Sequence, residues 1–138
     1  MCIKRLIHRK KGGEEMEFDR RSPVYEQVIQ YFKEQIAAGN FSAGSEIPSR
    51  RELAAQFKIN PNTAQRAYKE MEEQGLIYTE GNSPSRITED NTTIGKLRIE
   101  LIDSALNEFL SVAKQLGLSS EEISVLIHDR YEEVTKHD

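Results

Sequence analysis

Val24, Val28, Ile29, Phe32 and Ile36 recur at the three- and four-residue spacing of a helix with one apolar face. The pattern opens at Ser22-Pro23, where Ser suits an N-cap and Pro the first turn, and it closes at Gly39. After the linker "NFSAGSEIP", Ser49 and Glu52 stand at capping-box spacing, in which each side chain satisfies the other residue's backbone N–H. A second helix is predicted from Ser49, with Leu53, Ala54 and Phe57 inward, stopping at Lys58-Ile59-Asn60. Asn60 can cap a third helix whose first turn holds Pro61, so the two helices form a tight helix-turn-helix. The third helix is predicted to run to about Gln74, with Gly75 beyond its end, and to bury Ala64, Ala67, Tyr68 and Met71. The β-favouring runs "LIYT" and "SRIT" then flank Gly81-Asn82-Ser83-Pro84, the pattern of a small hairpin. Residues 22–90 therefore read as a winged helix.

Farther on, Ile94, Leu97, Leu101, Ile102, Ala105, Leu106, Phe109, Val112, Ala113 and Leu116 form a broad apolar stripe on one long helix. Gly117 breaks it, Ser119 and Glu122 repeat the capping-box spacing, and Ile123, Leu126, Ile127, Tyr131 and Val134 mark another amphipathic helix. The fold class expected is mainly α with a small β-hairpin: a winged helix-turn-helix followed by a two-helix C-terminal hairpin over 91–138. A winged helix alone is too small to cover that stripe, so pairing with a second copy is expected. Its contacts are Ile94, Leu97, Leu101, Ile102, Leu106, Phe109, Leu116, Ile123 and Ile127, and the alternative is packing within one chain. A homodimer also suits recognition, since two winged helices read both halves of a palindrome. Residues 1–21 lack a sustained period and are expected to be a disordered leader. Its Lys-Lys-Gly-Gly-Glu-Glu run is what a translated purine-rich ribosome-binding sequence yields just before Met16, which makes Met16 the expected start; the other reading is a basic arm following a DNA groove.

A chain of 138 residues, 37% hydrophobic and 30% charged, holds one domain or one small domain with an appendage, which excludes large catalytic architectures. Its single Cys2 forms no internal disulfide, and no apolar run reaches membrane-spanning length, so a cytoplasmic protein without a membrane partner is expected. The net charge of −4 hides an uneven distribution. Between Pro48 and Lys69, Arg50, Arg51, Lys58, Arg66 and Lys69 face only Glu52, whereas acids outnumber bases from Glu89 onward. A polyanion is thus expected to meet the first half alone. The outward side of the third helix carries Asn62, Thr63, Gln65, Arg66 and Lys69, and Asn and Gln pair bidentately with adenine, Arg with guanine. With Ser49, Arg50, Arg51, Gly81 and Arg86 these make up the candidate contacts to double-stranded DNA. His8, His128 and His137 have no metal-ligand spacing, and no phosphate loop or nucleophile elbow is present, so neither metal, cofactor nor enzymatic activity is expected. Tyr25, Tyr68 and Tyr78 read as core or edge aromatics.

From Pro23 to Ile87 the chain resembles the GntR family of bacterial transcription regulators, through Pro23, Tyr25, Gln27, Gly39, Gly44, "IPSRRELA", Thr63 and "EEQGLI". "INPNT" is similar to the short YtrA-type branch. The resemblance implies that Arg51 holds a phosphate or base, that Asn62, Thr63 and Gln65 occupy recognition-helix positions, and that Gly81 is the wing glycine. The sequence departs from the pattern in its wing, "GNSPSRI", and in Pro61, where many relatives carry Arg. The function implied is that of a dimeric repressor of a small operon, often one encoding an ABC transporter. The large effector domains of most of the family are absent, and no small-molecule effector is assigned. The reading from a different class is a winged helix that binds protein through the acidic tail.

Overall fold

A computed structural model of the chain describes residues 17–136; the expectations for Cys2, His8, the Met16 start and His137 fall outside the described residues. The elements follow in order as α1 (Val24–Ala37), α2 (Arg50–Phe57), α3 (Pro61–Glu73), β1 (Ile77–Tyr78), β2 (Arg86–Ile87), α4 (Asn91–Gln115) and α5 (Ser120–Lys136).

The chain reaches α1 in a way its local pattern does not announce. Pro23 occupies the N-cap position without a side-chain cap bond, so the expected Ser22 cap is replaced. The replacement is Gln27, whose buried amide donates to the carbonyls of Asp19 (2.9 Å) and Ser22 (2.8 Å) and accepts the Asp19 N–H (3.0 Å). Phe18 packs edge-on against Phe57, with ring centroids 6.3 Å apart. Packing thus begins within the stretch expected to be leader, because one side chain on α1 satisfies the backbone of an aperiodic segment.

Both helix-turn-helix caps form as their spacing predicts. Ser49 Oγ accepts the Glu52 N–H at 3.1 Å and Glu52 Oε1 accepts the Ser49 N–H at 3.2 Å, while Asn60 Oδ1 accepts the Asn62 N–H at 2.8 Å. Lys58 ends α2 in the left-handed region, at φ 55°, which turns the chain into α3. Ala64, Ala67, Tyr68 and Met71 of α3 are completely buried, and the two alanines let α3 lie close against α1 and α2. Tyr31, Phe32, Phe41, Phe57 and Tyr68 fill the space between the helices with edge-to-face and tilted rings.

β1 and β2 pair antiparallel, with Ile77 opposite Ile87 and Tyr78 opposite Arg86. The linker between α1 and α2 adds to this hairpin. Gly44 N–H donates to Ile87 O (2.9 Å), Ile87 N–H to Ser45 O (2.9 Å) and Ile47 N–H to Ser85 O (3.0 Å). The linker's place at the wing was absent from the sequence pattern, because its pairing is a single bridge, Glu46 opposite Arg86, which leaves no period to read.

Two compact units divide within α4, after Leu101. The first contains the start of that helix: Leu97 is 3% exposed in the winged-helix core, and Ile94 and Leu101 are partly buried against it. The contact division thus falls after Leu101 where a boundary at residue 91 was expected, and Leu97, expected among the dimer contacts, lies in the core that the first turns of α4 cover. The second unit, from Ile102, holds the rest of α4, the turn at Gly117 and α5, whose Ser119–Glu122 capping box forms with both bonds at 3.1 Å. No residue of α5 is buried. Among the described residues, no helix is long and apolar enough to cross a membrane, and no three His, Cys, Asp or Glu residues gather as a metal site.

Candidate nucleic-acid interface

With Ala64, Ala67, Tyr68 and Met71 turned inward, helical periodicity leaves Asn62, Gln65, Arg66 and Lys69 on one exposed stripe of α3, and Thr63 half-buried at its edge. Asn60 and Pro61 start the helix, so this stripe begins at its positive end. Arg51 is exposed in the first turn of α2, and Gly81 lies exposed at the turn between the wing strands. Amide, guanidinium and ammonium groups are thus presented together on one exposed surface, the set of donors that base edges and phosphates accept.

Three of the residues expected to meet DNA also hold partners within the fold. Arg50 Nη2 donates to Glu72 Oε1 at 2.9 Å, and the guanidinium lies 5.3 Å from the Tyr68 ring centroid. Glu72 Oε1 also accepts from Thr79 Oγ1 (2.9 Å), which is 2.6 Å from Ser85 Oγ. Arg50 is therefore a clamp joining the start of α2, the end of α3 and the wing. Its Nε is the buried side-chain donor left unpaired among the described residues. Arg86 is likewise a fastener: Nη1 donates to Gly44 O and Nη2 to Glu46 Oε1, both at 2.9 Å. Ser49 Oγ is occupied by its capping bond, and the Ser49 N–H donated in return holds the Glu52 carboxyl below the usual range. Tyr68, buried under Arg50, donates to Pro48 O, and burial pushes its phenol above the ordinary range.

Tyr25 is the residue whose role was not legible. Its ring lies beneath the Arg66 guanidinium, with Cζ 3.7 Å from the ring centroid, and its hydroxyl accepts from Arg66 Nη2 at 3.0 Å. No periodic signal links residues on α1 and α3 that lie so far apart in sequence.

A helix-turn-helix with a wing and an exposed polar stripe on its second helix defines a DNA-binding winged-helix protein. Residues 24–87 match the family described as bacterial regulatory proteins, gntR family. The HTH-type transcriptional regulator YhcF of Bacillus subtilis (strain 168) is 34% identical over 107 residues, covering 78% of this chain and 88% of YhcF. The HTH-type transcriptional repressor YtrA of the same organism is 36% identical over 111 residues, covering 78% of this chain and 85% of YtrA. A solved GntR family transcriptional regulator from Listeria monocytogenes superposes with a TM-score of 0.75 at 35% identity, covering 81% of this chain and 98% of that one. The chain belongs to the GntR family, in its YtrA-like branch, and is a DNA-binding transcription regulator rather than an enzyme.

Proposed function

We propose that the protein is a cytoplasmic homodimer that represses a small operon by occupying a palindromic operator. The carrying observation is the apolar surface beyond Leu101: Ile102, Leu106, Val112, Leu116, Leu126 and Ile127 are exposed, Leu116 by 73%. A stretch of exposed large apolar side chains marks an interaction surface, and a second copy presents the same stretch to it. In each copy Arg51 grips the DNA backbone, Asn62, Thr63 and Gln65 meet base edges, and Lys69 and Gly81 flank them. Repression is supported by the name of the relative YtrA, a repressor. An ABC transporter operon, implied by the short branch, is the first place to look for the operator.

Selection of bound duplexes from a random pool tests specificity, and sedimentation at micromolar concentration tests assembly. An enriched palindrome and a dimer are the expected results. No enriched sequence, or a monomer, would overturn the respective part of the proposal.

A further inference from the structure

We infer that Tyr25 is a positioning residue for DNA binding, whose ring and hydroxyl hold the Arg66 guanidinium in one orientation toward a backbone phosphate. The inference rests on the reading of α3 as the DNA-facing helix. Arg66 sits on the same stripe as Asn62, Gln65 and Lys69, and its side chain is 60% exposed. An arginine in that position ordinarily samples many rotamers and loses that freedom when it grips a phosphate.

Here the freedom is already restricted by three contacts. The guanidinium carbon lies over the Tyr25 ring, 3.7 Å from its centroid, Nη2 donates to the Tyr25 hydroxyl at 3.0 Å, and Nε stands 3.5 Å from Glu70 Oε1. The hydroxyl in turn donates to Glu26 Oε1 at 3.3 Å, so it presents its lone pair to Arg66. A guanidinium has five N–H donors, and these bonds leave both Nη1 protons and the second Nη2 proton for an outside acceptor. The Glu70 contact is a partly exposed pair one helical turn away, long at 3.5 Å, and is weak enough to yield to a phosphate. A latch between α1 and α3 is not what the contact adds, because Val28, Phe32, Ala64, Ala67 and Tyr68 already join these helices through the core. The aromatic platform therefore acts on the arginine's orientation more than on the fold.

The test uses the full chain with its selected operator and a scrambled duplex, each titrated at several salt concentrations, with thermal unfolding in parallel. Arg66→Ala should weaken both duplexes and lower the log–log salt slope by about one per bound winged helix. Tyr25→Leu, which keeps apolar bulk against the core, should lose roughly two- to fivefold in affinity per winged helix, the range of an exposed cation–π contact. Tyr25→Phe should recover most of that loss, and Tyr25→Leu should add nothing in the Arg66→Ala background. Equal losses from Tyr25→Leu with and without Arg66, or wild-type binding by Tyr25→Leu, would overturn the inference while the DNA-facing role of α3 stands. An unchanged salt slope in Arg66→Ala would do the same. Failure of the unmodified chain to bind either duplex would remove the reading of α3 and this inference with it.

Discussion

Arg50 and Arg51 are adjacent and chemically identical, yet the fold gives them opposite surroundings. Arg50 is held by Glu72 and stacked near Tyr68, whereas Arg51 is exposed. Arg50→Ala is expected to lower unfolding free energy by about 1 kcal/mol, a figure kept small because both partners of the pair remain about a third exposed. Arg51→Ala should leave stability within about 0.5 kcal/mol of wild type while reducing the salt slope of DNA binding by about one per winged helix. Urea unfolding and salt-dependent titration of the two variants separate these effects. Gly44 offers a second contrast. Its φ is +77°, and a Cβ there would stand 2.7 Å from Glu89 Oε1, whereas Gly39, at φ +80°, has nothing within 4 Å. Both alanine variants carry the left-handed strain, about 1 kcal/mol, and Gly44→Ala must also displace a carboxylate bonded to Tyr78. Urea unfolding should therefore find Gly44→Ala the less stable of the two.

α2 is only eight residues long, so its stability depends heavily on its cap and on burial of Leu53, Ala54 and Phe57. The Ser49 backbone N–H and side chain hold the Glu52 carboxyl below its ordinary value. A folded-state pKa below the unfolded one gives a stabilising contribution that is complete above the unfolded value. That contribution fades as pH falls through the window between the two values and is gone below the folded one. The stability difference between wild type and Glu52→Gln should accordingly be present at neutral pH and vanish in acid below the usual carboxylate range. Chemical denaturation over that pH series checks the sign; a difference that grows in acid would contradict it.

The long apolar stripe of α4 divides between two environments, and the proposed dimer assigns them different tasks. Leu97 is buried in the winged-helix core, and Leu106, farther along the same helix, is 42% exposed. Leu97→Ala is expected to cost about 2–5 kcal/mol of folding stability through the cavity it leaves. Leu106→Asp should leave the unfolding of the winged helix nearly unchanged and convert the proposed dimer to monomer, because pairing would bury an unpaired carboxylate. Sedimentation and thermal unfolding of both variants distinguish the two tasks. A Leu106→Asp variant that stays dimeric would move the interface away from this part of the stripe.

The helices and their caps were legible because their signals are local. Ser49 and Glu52, Asn60 and Asn62, and Ser119 and Glu122 meet across three residues or fewer, and the apolar period of α1 and α3 follows from helical geometry. The family and the exposed stripe of Asn62, Gln65, Arg66 and Lys69 were legible for the same reason. Periodicity states which way a side chain faces, but it does not name the group that meets it. Arg50, Arg66 and Arg86 carry the same cation, and only the folded arrangement brought Glu72 to the first, Tyr25 to the second and Gly44 with Glu46 to the third. The stripe from Ile94 to Leu116 is continuous in sequence in the same sense. Its division at Leu101 was decided by where the winged-helix core ends, since apolar burial depends on what surface lies opposite and not on the pattern that seeks cover.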